Sequence, residues 1–121
     1  MKTKRKPNLN VDFDGTVVQA GKFISPGVIT NPPNDGCKEA LDHLNKFFNI
    51  IIFSVRATSS AGVKGIEEYM KKYDLPYSHI TNIKAAGLIL DDNCTQFRGW
   101  GNALKDLANF KHWKADKKEK L

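Results

Sequence analysis

Three short apolar runs, each ending on polar or charged side chains, constrain this chain more than any other feature. Leu9-Asn10-Val11 runs into Asp12-Phe13-Asp14-Gly15-Thr16, Ile50-Ile51-Ile52-Phe53 into Ser54-Val55-Arg56, and Gly87-Leu88-Ile89-Leu90 into Asp91-Asp92. Unbroken apolarity over 50–53 fits a strand covered on both faces, as in a parallel sheet. Between the first two runs, Cys37, Ala40, Leu41, Leu44 and Phe48 recur at helical spacing, which predicts a helix over 36–47 with Asn34 or Asp35 as its N-cap. Between the second and third, Thr58-Ser59-Ser60 caps a helix whose inward stripe is Val63, Ile66, Met70 and Tyr73, stopped by Asp74-Leu75-Pro76. A weak strand over 78–80 and a last helix beginning after Gly99 or Gly101 complete the order, with Trp100 packed against that helix. Residues 15–30 hold the pairs Val17-Val18 and Phe23-Ile24 around Gly21 and Pro26-Gly27, which predicts a small β flap. Strands alternating with helices predict an α/β domain with a mainly parallel sheet.

Asp12 and Asp14 are the sharpest chemical signal. Alternate residues of a strand share a face, so both carboxylates leave the end of the first strand in the same direction. Two like charges about 4 Å apart repel by roughly 1 kcal/mol in water and roughly 4 kcal/mol at an effective dielectric of 20. Such a pair needs a cation, a proton or full exposure. The same letters also fit a hairpin, because Asp-Gly between apolar runs is a strong two-residue turn signal. An EF-hand would need further oxygen ligands at alternate positions, and the Gly-rich phosphate loop ending in Gly-Lys-Ser/Thr does not occur.

The other strand ends tip this balance. Parallel strands joined by crossovers finish on one edge of the sheet, and ligands bind outside those carboxyl ends. Asp12/Asp14, Ser54/Arg56 and Asp91/Asp92 should therefore meet, with Lys84 in the loop leading to the last strand. Four carboxylates in one crevice call for a divalent cation, and all-oxygen ligation suits Mg²⁺.

Composition narrows the setting. The 121 residues suit one domain, and 40% hydrophobic with 26% charged content is ordinary for a globular chain. No apolar run approaches a membrane span of roughly 18 residues, and no apolar segment follows the basic start as in a signal peptide, so a cytoplasmic protein is expected. Cys37 and Cys94 are too few and too far apart for a disulfide scaffold or a zinc site and read as small buried hydrophobes. The net charge of +6 lies in the ends: Lys2, Lys4, Arg5 and Lys6 in a leader over 1–7, and five lysines against Asp116 and Glu119 in a tail over 111–121. Residues 7–110 carry ten basic and eleven acidic side chains. Basic ends are most often solvated, and nucleic acid is the partner they would suit.

The order of these motifs resembles the haloacid-dehalogenase-like (HAD) hydrolases, and most closely their small phage and bacterial members. The match runs through Asp12-Phe13-Asp14-Gly15-Thr16-Val17, then Ser54 after Ile50–Phe53, then Lys84, then Leu88-Ile89-Leu90-Asp91-Asp92. Two places depart from the usual pattern: the triplet after the second strand reads Ser54-Val55-Arg56, and Ala85 stands where a proline often follows the lysine. The resemblance implies a three-layer α/β/α Rossmann-like domain spanning 1–121. It also implies a Mg²⁺-dependent phosphatase working through an aspartyl-phosphate. Asp12 would be the nucleophile, Asp14 the acid and base, and Lys84 the charge compensator. Gly15, Thr16, Ser54 and Arg56 would bind phosphate, and Asp12, Asp14 (through its backbone carbonyl), Asp91 and Asp92 would hold the metal. Only 39 residues separate Asp14 from Ser54, and 29 separate Ser54 from Lys84. That leaves no room for a cap domain, so an open cleft is expected. Such a cleft suits a phosphate on a large molecule such as nucleic acid, or an oligomer that covers it. The competing reading is a catalytically silent module of the same fold that binds nucleic acid through its basic ends.

Overall fold

A computed structural model describes residues 5–110. The basic leader over 1–7 falls partly, and the tail over 111–121 wholly, outside the described residues. The chain forms β1 (Asn8–Asp12), α1 (Cys37–Leu44), β2 (Asn49–Phe53), a 3₁₀ turn (Val55–Thr58), α2 (Ser60–Lys72), β3 (His79–Thr81), β4 (Leu88–Leu90) and α3 (Trp100–Ala108). The four strands make one all-parallel sheet in the order β3-β2-β1-β4. The fold is thus α/β, compatible with a Rossmann-like arrangement.

The central strands are covered on both faces. Ile50, Ile51 and Ile52 are all buried, as the unbroken apolar run of β2 requires, and so are Leu9, Asn10 and Val11 on β1. Val11 and Leu90 look across an apolar groove at Leu41 and Leu44 of α1. Ile66, Tyr69 and Met70 of α2 enter the same core as Phe13, whose ring meets Tyr69 edge-on at 5.3 Å.

Local differences from the expected elements have identifiable causes. The N-cap of α1 is Gly36, which sits at φ 80 and supplies no side-chain cap. Asn34, an expected cap, instead donates its amide to the carbonyls of Gly15, Thr16 and Val18, stitching the loop after β1 to the approach of α1. α2 is capped as expected, by the Ser59 hydroxyl accepting from Gly62 N–H. Its buried face runs through Gly62, Gly65 and Tyr69 as well as Ile66 and Met70, and Val63 and Tyr73 are only half-buried. The flap has no regular strand: Val17 and Val18 are core residues, and a single turn, Ser25–Val28, is closed by Val28 N–H on Ser25 O at 3.1 Å.

The C-terminal third packs lightly. β4 is an edge strand with Leu88 60%, Ile89 46% and Leu90 47% exposed, and α3 buries only Ala103. Trp100 is exposed and touches Phe97 edge-on rather than packing into the core. Cys94 is also exposed, in the loop between β4 and α3, and Cys37 is half-buried, so neither is a fully buried hydrophobe. Among the described residues no helix is long and apolar enough to cross a membrane.

Candidate functional site

Strand register builds the site. Val11 pairs with Leu90 and Asp12 with Phe53, so Asp12 leaves the sheet between Asp91 on one side and Ser54 on the other. Phe13, fully buried, turns inward and anchors the chain while Asp14 comes out beside Asp12. The turn is held by Val18 N–H on Phe13 O at 3.0 Å and Gly15 N–H on Val18 O at 2.8 Å. Position 15 has φ +89, and a Cβ there would run into the Asp92 carboxylate, so this turn is restricted to glycine on both counts. The hairpin alternative for Asp14-Gly15 does not form, because β1 is followed by a loop and then α1, not by an antiparallel strand.

Asp12, Asp14, Asp91 and Asp92 line one cleft of about 400 Å³, together with Ala20 and Asn93. Oxygens of Asp12, Asp91 and Asp92 lie within 4.8 Å of one another. The Thr16 hydroxyl sits among them, 3.1 Å from Asp92 Oδ1 and 3.4 Å from Asp12 Oδ2, and accepts from Asp92 N–H at 3.2 Å. It has one proton for two carboxylates and cannot neutralise the cluster. Asp91 is turned by Asn93 N–H, which donates to its Oδ1 at 2.8 Å.

The electrostatic consequence falls on Asp12. Burial, a shared hydrogen bond with Asp92 and the charges of Asp91 and Asp92 push its carboxyl up to about 7, against a smaller lowering by the Phe13 backbone N–H. Such a group wants either a proton or a cation. Three carboxylates converging from two strand ends suit a hard divalent ion with oxygen ligands, so the residues present fit Mg²⁺.

The remaining candidates take different places. The carboxylate of Asp14 stands outside the triad and is gripped by Arg56, Nε on Oδ2 at 2.7 Å and Nη2 on Oδ1 at 2.8 Å. Ser54 is buried, its Oγ accepting from Arg56 N–H at 3.1 Å to cap the 3₁₀ turn. Lys84 is exposed, lies outside the cleft lining and makes no ion pair among the described residues.

Asn10 is a buried structural anchor that the sequence pattern does not announce. It is fully buried mid-strand, donates to Ala85 O at 2.8 Å and Leu88 O at 3.1 Å, and accepts from Ala85 N–H at 2.9 Å. The loop carrying Lys84 is thereby fixed to β1. The one available signal was a polar amide inside an otherwise apolar strand, where an unpaired group would be costly.

Neither a family model, nor a curated protein, nor a solved structure matches this chain.

Proposed function

We propose that this protein is a Mg²⁺-dependent phosphohydrolase of the HAD-like type: a capless, three-layer α/β/α domain that cleaves phosphate monoesters through an aspartyl-phosphate. The observation that carries this reading is the convergence of Asp12, Asp91 and Asp92 within 4.8 Å at the carboxyl edge of a parallel sheet, with Asp14 two residues beyond Asp12 in the same cleft.

Asp12 attacks phosphorus with a carboxylate oxygen; the Oδ–P bond forms as the bond to the ester oxygen breaks. Asp14, entering the step protonated and with one oxygen released from the Arg56 fork, gives the departing oxygen its proton, then as carboxylate takes one from the water that attacks the acyl phosphate, restoring Asp12 and releasing orthophosphate. Thr16 holds the Asp92 carboxylate and backbone in place, and Gly15 keeps the turn tight enough for Asp92 to approach. Asp12, Asp91, Asp92 and the Asp14 carbonyl would hold Mg²⁺, which would supply positive charge to offset the carboxylates and the phosphate. Lys84, exposed and without an ion pair among the described residues, is a cation that would approach an incoming phosphate. With no cap over the cleft among the described residues, the substrate class favoured is a phosphate carried on a large molecule, nucleic-acid ends among them.

The test is phosphate release from p-nitrophenyl phosphate, sugar phosphates, nucleotides and a 3′-phosphorylated oligonucleotide, with Mg²⁺ and with chelator. Turnover that needs Mg²⁺ and vanishes in Asp12→Asn is expected. Turnover unchanged in Asp12→Asn would remove the nucleophile from this scheme.

A further inference from the structure

Arg56 is placed where it has little left to offer a phosphate. Its side chain is only 4% exposed. Nε and Nη2 are both committed to the Asp14 carboxylate, and Nη1 points at three carbonyl oxygens of the flap turn, Ser25 at 2.8 Å, Pro26 at 2.9 Å and Val28 at 3.2 Å. The Phe23 ring covers the guanidinium carbon at 4.7 Å. The backbone under Arg56 is itself held, by the Ser54 cap and by the 3₁₀ turn between β2 and α2. The flap turn in its turn rests on α2 at Gly65, where a Cβ would stand 2.8 Å from Gly27 O.

We propose that Arg56 is a positioning residue: it fixes the Asp14 carboxylate at the cleft and latches the flap turn Ser25–Val28 beside it, and it does not bind the phosphate. The proposal deepens the phosphohydrolase reading and, for its catalytic part, rests on it. A fork of guanidinium N–H groups on both oxygens of a carboxylate sets its plane as well as its distance. The Asp14 side chain is otherwise 46% exposed and, among the described residues, has no other hydrogen-bond partner to orient it. Proton transfer to a leaving oxygen is sensitive to that orientation, since acid and acceptor must come within hydrogen-bond reach. Lysine keeps the charge of Arg56 but has neither the fork nor the reach to the turn carbonyls.

A double-mutant cycle separates positioning from phosphate binding. With an alkyl phosphate as substrate, whose leaving oxygen needs a proton, Arg56→Lys and Arg56→Gln should lower kcat about 10²-fold. In the Asp14→Asn background the same changes should alter it by no more than about twofold. Inhibition by inorganic phosphate should be unchanged in every Arg56 variant. Equal losses in both backgrounds, or phosphate inhibition that weakens in step with the loss of rate, would overturn the proposal in favour of a phosphate clamp. A rise in rate would overturn it in favour of a restraining contact. The latch is read separately, without substrate, by hydrogen exchange at the Val28 amide. Arg56→Lys should speed exchange there about tenfold while leaving the core amides of β1 and β2 protected. Unchanged protection at Val28 would overturn the latch. A wild-type protein that turns over no phosphate ester with Mg²⁺ defeats the phosphohydrolase reading, and the exchange measurement still decides whether Arg56 anchors the flap.

Discussion

Raising the pH of the metal-free protein should destabilise it, and the acidic triad sets by how much. In the unfolded chain Asp12 titrates near 3.8; folded, it is held up to about 7 by burial, by its hydrogen bond with Asp92 and by the charges of Asp91 and Asp92. Below the unfolded value Asp12 is protonated in both states, and its contribution to stability is intact. Between the two values the unfolded chain releases the proton while the folded chain keeps it, so stability falls with pH, and above about 7 the loss is complete. Each unit is worth about 1.36 kcal/mol; because Asp12 is only half-buried and Asp92 exposed, screening reduces the total to about 2 kcal/mol. Urea denaturation in chelator at pH 5, 6.5 and 8 measures it. Asp92→Asn removes one charge and lets an amide donate to ionised Asp12, so it should flatten the slope and leave the variant about 1 kcal/mol more stable than wild type at pH 8. Adding Mg²⁺ at pH 8 should stabilise the wild type, by an increment that grows with concentration as ligand linkage requires, and should do little for Asp92→Asn. Metal-free stability that is flat or rising between pH 5 and 8, or an Asp92→Asn variant no more stable than wild type at pH 8, would refute the electrostatic account of the cleft.

Three other substitutions test how the cleft is built. Asn10→Leu leaves the Ala85 N–H and the Ala85 and Leu88 carbonyls without their buried amide partner and should lower stability by about 2 kcal/mol, seen as a lower urea midpoint with an unchanged slope. Gly15→Ala, forced into a positive φ against Asp92, should cost about 1–2 kcal/mol and weaken Mg²⁺ binding about tenfold by calorimetry. Ile52→Ala, deep in β2, should cost about 2–5 kcal/mol without changing the Mg²⁺ affinity of the protein that remains folded.

The strand ends were legible from sequence because their physics is local: an apolar run, a stop and charged residues at the stop. Parallel pairing then follows from the intervening helices, and the register of Val11 with Leu90 brings Asp12 and Asp91 together as expected. Long-range commitments were not legible. Arg56 reads as a strand-end cation, and nothing within a few residues of it reveals that its partners are Asp14 and the carbonyls of Ser25, Pro26 and Val28. Asn34 reads as a cap by its position after two prolines, yet its amide is drawn to three loop carbonyls instead. Leu88, Ile89 and Leu90 read as a strand, which they form, but composition does not say that the strand lies at an edge with its side chains exposed. Cys94 and Trp100 were misplaced for the same reason, since both belong to this lightly packed end.

The central claim is that Asp12 carries the phosphoryl group. Stopping turnover of a phosphate monoester in the presence of Mg²⁺, reducing the protein with borohydride and mapping its peptides by mass should find Asp12 converted to homoserine, and the conversion should disappear in Asp12→Asn or in chelator. Phosphate release at full rate with Asp12 unmodified, or with the modification on another residue, would contradict it.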